Sequence, residues 1–248
     1  MEVHHAHHVT HKKKFGEYLM EFFMLFLAVF LGFIAENIRE TSVERHKEKE
    51  YVVGMIQNLK DDTAQLGRVI PKLNLRIEKE DSLVNLSKAD FTVAENLKAL
   101  TRIAVQYAGH YSIFKTNNAT LTQLKSGNLR LIQTGHVADS ILKYDYLNNG
   151  TETQWQQWHL IYNDYIAAAE DVFDVPMMVD TSYVKNGQLL DRLPLPVTCD
   201  KEKLRLYFNK LTVDLISTRG YLQLLNTQAQ YASQLISFLK KEYHLEDE

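Results

Sequence analysis

Cysteine is almost missing from this chain. Cys199 alone among 248 residues rules out an internal disulfide and leaves no CxxC pair for redox or zinc chemistry. Proline is scarce as well: there are four, and Pro176, Pro194 and Pro196 all fall within residues 175–199. No sign of charge dominates. A net charge of −3 and a pI near 6.4 lack the electrostatic footprint of a nucleic-acid binder. Catalytic signatures are missing too, with no HExxH, GxxxxGK, GxSxG or strand-borne GxGxxG, and Cys199 has no local context for a nucleophile. The expectation is a protein that is not an enzyme, holds no cofactor and has no nucleic-acid partner.

One long hydrophobic run is present. Residues 22–35 are fourteen uncharged residues, and extension to 18–38 gives about 30 Å of helix, enough to cross a bilayer. A cleaved signal peptide would need small residues at −3 and −1, whereas cleavage after Ala35 would place Phe33 at −3 and leave Glu21 inside the apolar core. A retained, single-pass signal anchor fits better. At about 100° per residue, Glu17, Glu21, Ala28, Gly32, Ala35 and Arg39 fall within roughly 60° of one another, opposite Phe22, Phe23, Phe26, Phe30 and Phe33. Small residues one turn apart allow close backbone approach, and an acid avoids lipid by facing protein, water or headgroups. Glu17, Glu21, Ala28, Gly32 and Ala35 are therefore the expected association face of a homo-oligomer. The plainer alternative is that the acids sit at headgroup level and Gly32 is incidental.

Orientation rests on the tail. Lys12, Lys13 and Lys14 precede the span, while Arg39, Arg45, Lys47 and Lys49 follow it, so local basic residues do not decide. A short lysine-rich tail resists translocation and a long domain crosses largely regardless of charge. That places the N-terminus in the cytoplasm and the large domain outside it, in the periplasm of an inner-membrane protein.

The rest of the chain reads as helical. Val52, Ile56, Leu59, Thr63, Leu66, Ile70, Leu73 and Ile77 alternate steps of four and three, the spacing of a helix buried along one seam. Pro71 is expected to bend it. Leu204, Phe208, Leu211, Leu215, Thr218, Leu222, Leu225, Ala229, Ala232, Ile236, Leu239 and Tyr243 repeat the pattern, with Asp200 placed to cap. Thr92 with Glu95 and Thr151 with Gln154 fit capping boxes, opening helices at 92–108 and 151–173. Two shorter helices, 118–125 and 136–147, are separated by Ser126-Gly127, a glycine suited to a helix C-terminus. Asn186-Gly187 is a turn signal within the proline-containing region.

The fold class predicted is all-α: a transmembrane helix continuing into a stalk, then an antiparallel helical bundle with coiled-coil-like first and last helices. Its divisions are a His/Lys-rich tail (1–16), the membrane helix (17–38), a charged helical stalk (39–51) and a bundle domain (52–248) with an irregular excursion at 175–199.

Three blocks carry a resemblance: EFFMLFLAVFLGFIAENIRE from Glu21, EKEYVVGMIQNLKDDT from Glu48, and TLTQLKSGNLRLI from Thr120. Together they resemble an uncharacterised family of single-pass membrane proteins common in Bacteroidota. The resemblance covers the first 65 residues and scattered points beyond. It implies inner-membrane attachment and an all-helical soluble part, and it implies no activity.

Candidate chemistry is sparse. His4, His5, His7, His8 and His11 offer imidazoles of the kind that bind Zn, Ni or Cu, against the simpler reading of a flexible tail that supports insertion. The stripe containing Trp155, Trp158 and His159 reads as core, with a ligand pocket as the alternative. Asp61-Asp62 and Glu78/Glu80/Asp81 read as solvated faces. The expected function is a membrane-anchored, self-associating, non-catalytic scaffold or interaction protein that binds a protein partner. The alternatives are a ligand-sensing bundle that signals through the stalk helix, or metal handling by the N-terminal histidines.

Overall fold

The first helix, α1 (Phe15–Leu86), runs for 72 residues. Residues 36–51 contain neither Gly nor Pro, and Pro71, expected to bend the helix, lies inside α1 without ending it. Pro71 is exposed, so the carbonyl that loses its amide partner is left to water. The computed structural model describes residues 14–107, 112–174, 176, 184–185, 188–189, 196 and 198–245. The chain divides into two units, residues 1–50 and 51–248.

In the first unit, α1 exposes its large apolar side chains from Phe15 to Ile38. Phe22, Phe26 and Phe30 stack along it with ring centres 6.4 and 6.0 Å apart. A soluble helix would not leave such a run in water.

The second unit is a helical bundle assembled from the rest of α1, α2 (Ala94–Tyr107), α3 (Ala119–Gln123), α4 (Gly135–Glu170) and α5 (Lys201–Glu242). Three apolar layers fill it. One joins Val52, Ile56 and Leu59 to Val137 and Ile141 of α4 and to Ala232, Leu235 and Leu239 of α5. The next joins Leu66 and Leu73 to Trp158, Tyr221 and Leu225. The last joins Leu83 to Leu100, Tyr165, Ala169, Tyr207 and Leu211. As residue numbers rise along α1 and α4 they fall along α5, so α5 runs antiparallel to both. Asp200 caps α5, accepting from the amides of Glu202 and Lys203 at 2.9 and 3.0 Å, which satisfies two donors of the first turn.

The remaining leg is not one helix. It starts as α2, whose Leu100 and Ala104 lie in the last layer, and resumes over residues 112–118 as chain that belongs to no helix or strand. Phe114 reaches the middle layer, and α3 with Leu121 and Leu124 closes the first. A wide turn then follows at Leu124–Asn128, where Gly127 has φ +124°. That backbone suits glycine, as the Ser126-Gly127 signal suggested.

Two expected starts are not used. Instead of separate helices at 136–147 and 151–173, α4 is a single 36-residue helix. Thr151 is buried inside it and its hydroxyl donates to Gln228 Oε1 at 2.8 Å, so a partner on α5 has replaced the capping role. At Thr92, Asp90 accepts from both the amide and the hydroxyl, at 2.9 and 2.7 Å. The turn is organised from Asp90 and α2 begins at Ala94. In the excursion, β1 (Val184–Lys185) and β2 (Gln188–Leu189) pair antiparallel across the Asn186-Gly187 signal.

Candidate functional site

Between the apolar layers the bundle buries two groups of polar side chains. Both are corrections to the reading of the acid clusters as solvated, because Asp62 and Glu80 are only 1% and 4% exposed.

The first group follows from the broken leg. Residues 112–118 belong to no helix or strand, so their amides need acceptors from elsewhere. Asn58, Asp62 and Gln65, at steps of four and three, lie on one face of α1. They supply those acceptors: Lys115 N donates to Gln65 Oε1 at 2.9 Å, Asn117 N to Asp62 Oδ1 at 2.7 Å, and Thr120 N to Asn58 Oδ1 at 3.0 Å. The Phe114 amide donates to the Tyr221 hydroxyl at 3.3 Å. Gly54 belongs to the same contact, since a Cβ there would come within 2.9 Å of Thr120 Oγ1. Two of the blocks that carry the family resemblance therefore pack directly on each other.

The second oxygen of Asp62 accepts from the Tyr144 hydroxyl at 2.7 Å. Burial raises the Asp62 carboxyl to about 6, with the Asn117 amide and the Tyr144 hydroxyl pulling it back and Asp61 adding to the rise. The Tyr144 phenol is raised by burial and by Asp62. Beside it, Gln228 donates to Asn148 Oδ1 and accepts from Thr151, so α4 and α5 are pinned by side-chain amides.

The second group holds charge. Arg76 Nε lies 2.6 Å from Glu80 Oε1, one turn on, and Arg76 Nη2 lies 2.5 Å from Asp214 Oδ2 on α5. Trp158 Nε1 donates to Asp214 Oδ1 at 3.0 Å. The guanidinium carbon lies 5.1 Å from the Trp158 ring centre and 5.0 Å from that of Tyr162, a cation over two aromatic faces. Burial raises the Glu80 carboxyl to about 8 against the pull of Arg76. Asp214 is also raised by burial, with Arg76 and the Trp158 N–H restraining it.

The residues singled out from sequence are scattered. His4, His5, His7, His8 and His11 lie outside the described residues, and among those described no group of three or more His, Cys, Asp or Glu is placed to hold a metal. Glu17, Glu21, Ala28, Gly32 and Ala35 are exposed along the first unit's part of α1. Trp158 is fully buried core, whereas His159 is half-buried and stacked on Trp155 with ring centres 5.6 Å apart. The free Cys199 is exposed. It lines a cleft of about 570 Å³ with Asp90, Phe91, Lys201, Arg205 and Phe208, whose floor is the stacked pair Phe91–Phe208 at 5.7 Å.

Sequence reasoning missed Asn58, Asp62, Arg76 and Asp214. A signal was present: Asn58, Arg76 and Asp214 each sit one position before a seam residue, Leu59, Ile77 or Leu215, where a side chain borders the buried face. No protein-family model, no curated protein and no solved structure matches this chain.

Proposed function

We propose that the protein is a single-pass, membrane-anchored interaction protein, related to the Bacteroidota family it resembles, with its N-terminus in the cytoplasm and its helical-bundle domain in the periplasm. The observation that carries this reading is an 18-residue stretch of α1, near the N-terminus, that is long and apolar enough to cross a membrane and has none of its surface buried. Self-association runs through the face of Glu17, Glu21, Ala28, Gly32 and Ala35, and the bundle binds a protein partner without catalysis. Supporting the last point is a domain whose polar interior is occupied with holding its own helices together.

Two measurements test the anchor and its face. Native membranes washed in alkaline carbonate should retain the full-length chain; recovery of a chain beginning after residue 38 in the wash refutes the anchor. For the face, Cys199→Ser provides a thiol-free background. Ala28→Cys and Gly32→Cys should then form disulfide dimers more readily than Phe26→Cys and Phe30→Cys. The reverse order refutes the assigned face.

The cleft floored by Phe91 and Phe208 favours one second reading, a bundle that senses a small ligand. Clefts that combine aromatic surface with a few placed polar groups are typical ligand sites, and here Phe91 and Phe208 stand beside Asp90, Lys201 and Arg205. A thermal-shift screen of the full chain in detergent tests it, because a ligand selective for the folded state raises the melting temperature.

A further inference from the structure

Two carboxyl groups and one guanidinium are enclosed together, with Glu80 4%, Arg76 3% and Asp214 0% exposed. If all three were ionised the cluster would carry a net charge of −1 with almost no access to water, and one cation cannot balance two buried anions. Among the described residues the charged groups acting on Glu80 are Arg76 and Asp214. From α1 the facing groups are Arg76 and Glu80 themselves; Lys79 pairs with Glu78 at 2.7 Å, and Arg219 of α5 pairs with Asp81 at 2.5 Å, both on outer surfaces. From α4 come Trp158, Tyr162 and Tyr165, and from α5 Tyr207 and Asp214; Leu100 and Ala104 of α2, in the adjoining apolar layer, carry no charge. Glu80 Oε2 has no hydrogen-bond partner, and the Glu80 and Asp214 carboxyl groups share the one guanidinium of Arg76, at 2.6 and 2.5 Å. Two carboxyl oxygens can bond only when one of them carries a proton.

We propose that the Arg76–Glu80–Asp214 cluster is a proton-operated latch on the α1–α5 seam, closed while Glu80 holds a proton toward Asp214 and loosened when that proton leaves. With the proton in place the cluster sums to zero: Arg76 positive, Asp214 negative, Glu80 neutral and donating. Without it, an unbalanced negative charge faces a second carboxylate under the aromatic rings of Trp158 and Tyr162, and α1 and α5 repel where they had been bonded. The raised position of the Glu80 carboxyl, about 8, agrees with this arrangement. The latch belongs wholly to the bundle and does not rest on the membrane reading, so failure of either leaves the other standing.

The sign of the effect follows from linkage. A carboxyl held above its ordinary value binds its proton more strongly in the folded than in the unfolded chain, so stability is greatest below the unfolded value and falls as pH rises to the folded one. From the ordinary glutamate range up to about 8, this site should raise the unfolding equilibrium constant about tenfold per pH unit. The test compares the full chain in detergent with Glu80→Gln, which keeps the shape and a donor toward Asp214 but cannot ionise. Wild type should lose stability relative to Glu80→Gln steadily from pH 5 to 8; equal pH profiles overturn the proposal. Difference infrared spectroscopy on the wild type gives an answer even if the variant does not fold. A protonated-carboxyl carbonyl band should persist at pH 7 and titrate away near pH 8, and a spectrum with no such band at pH 7 refutes the latch.

Discussion

Replacing Asp62 probes the broken leg of the bundle most directly. Asp62→Asn and Asp62→Ala both remove the charge, so whatever burial does to the ionised carboxylate cancels between them. They differ in hydrogen bonding. Asn retains an oxygen for the Asn117 amide and an amide group to set against the Tyr144 hydroxyl, at the positions where Asp62 now bonds them at 2.7 Å each. Ala leaves both buried donors without an acceptor, at about 1–3 kcal/mol apiece. With water entering part of the vacated space, Asp62→Ala should be less stable than Asp62→Asn by about 2–4 kcal/mol. The assay is urea unfolding of the full chain in detergent, followed by fluorescence of Trp155 and Trp158, with hydrogen exchange at the Asn117 amide as the local readout. That amide should exchange much faster in the Ala variant. Two variants within 0.5 kcal/mol of each other, or an unchanged Asn117 amide, would falsify the reasoning. The wild type should also show, on top of any pH dependence the variants retain from Glu80, a further contribution that both variants lack. Burial raises its Asp62 carboxyl to about 6, so this contribution should be full below the ordinary carboxylate range and be lost as pH rises through about 6.

Two other predictions use neighbouring features. Gly54→Ala should destabilise by about 1 kcal/mol despite alanine's better helix propensity, because its Cβ would meet Thr120 Oγ1 at 2.9 Å. Adding Thr120→Ala should recover the loss, whereas Gly67→Ala, with nothing within 4 Å, should stabilise by about 0.5–1 kcal/mol; the same sign for both single variants in thermal melts defeats the argument. Trp158→Phe keeps an aromatic face over Arg76 but removes the indole donor to Asp214, at 3.0 Å, and should cost about 2 kcal/mol in chemical unfolding. A loss below 0.5 kcal/mol would mean that this bond contributes little.

Much of the helical frame was legible in the chain. The seam residues Val52, Leu59, Leu66 and Leu73 on α1, and Leu204, Leu211, Leu215, Leu225, Ala232 and Leu239 on α5, are all buried, because a repeat in steps of three and four can bury a face in only one way. Asp200 and Gly127 were legible for a local reason: a cap and a positive φ depend on a few adjacent residues. Thr151 misled because its capping signal is local, whereas the partner that claimed its hydroxyl, Gln228, is 77 positions away.

The apolar helix, the pattern of buried seams and the helical class are all readable from residue order, since each follows from the spacing of side chains along one helix. Packing between distant segments settles the rest: one leg of the bundle breaks into irregular chain, Asp62 serves that segment, and Arg76, Glu80 and Asp214 meet inside the core. The physical reason is distance along the chain. A polar side chain beside a buried seam is solvated or enclosed according to whether another element brings it a partner, and Asp214 lies 138 positions from Arg76, beyond the reach of any periodicity.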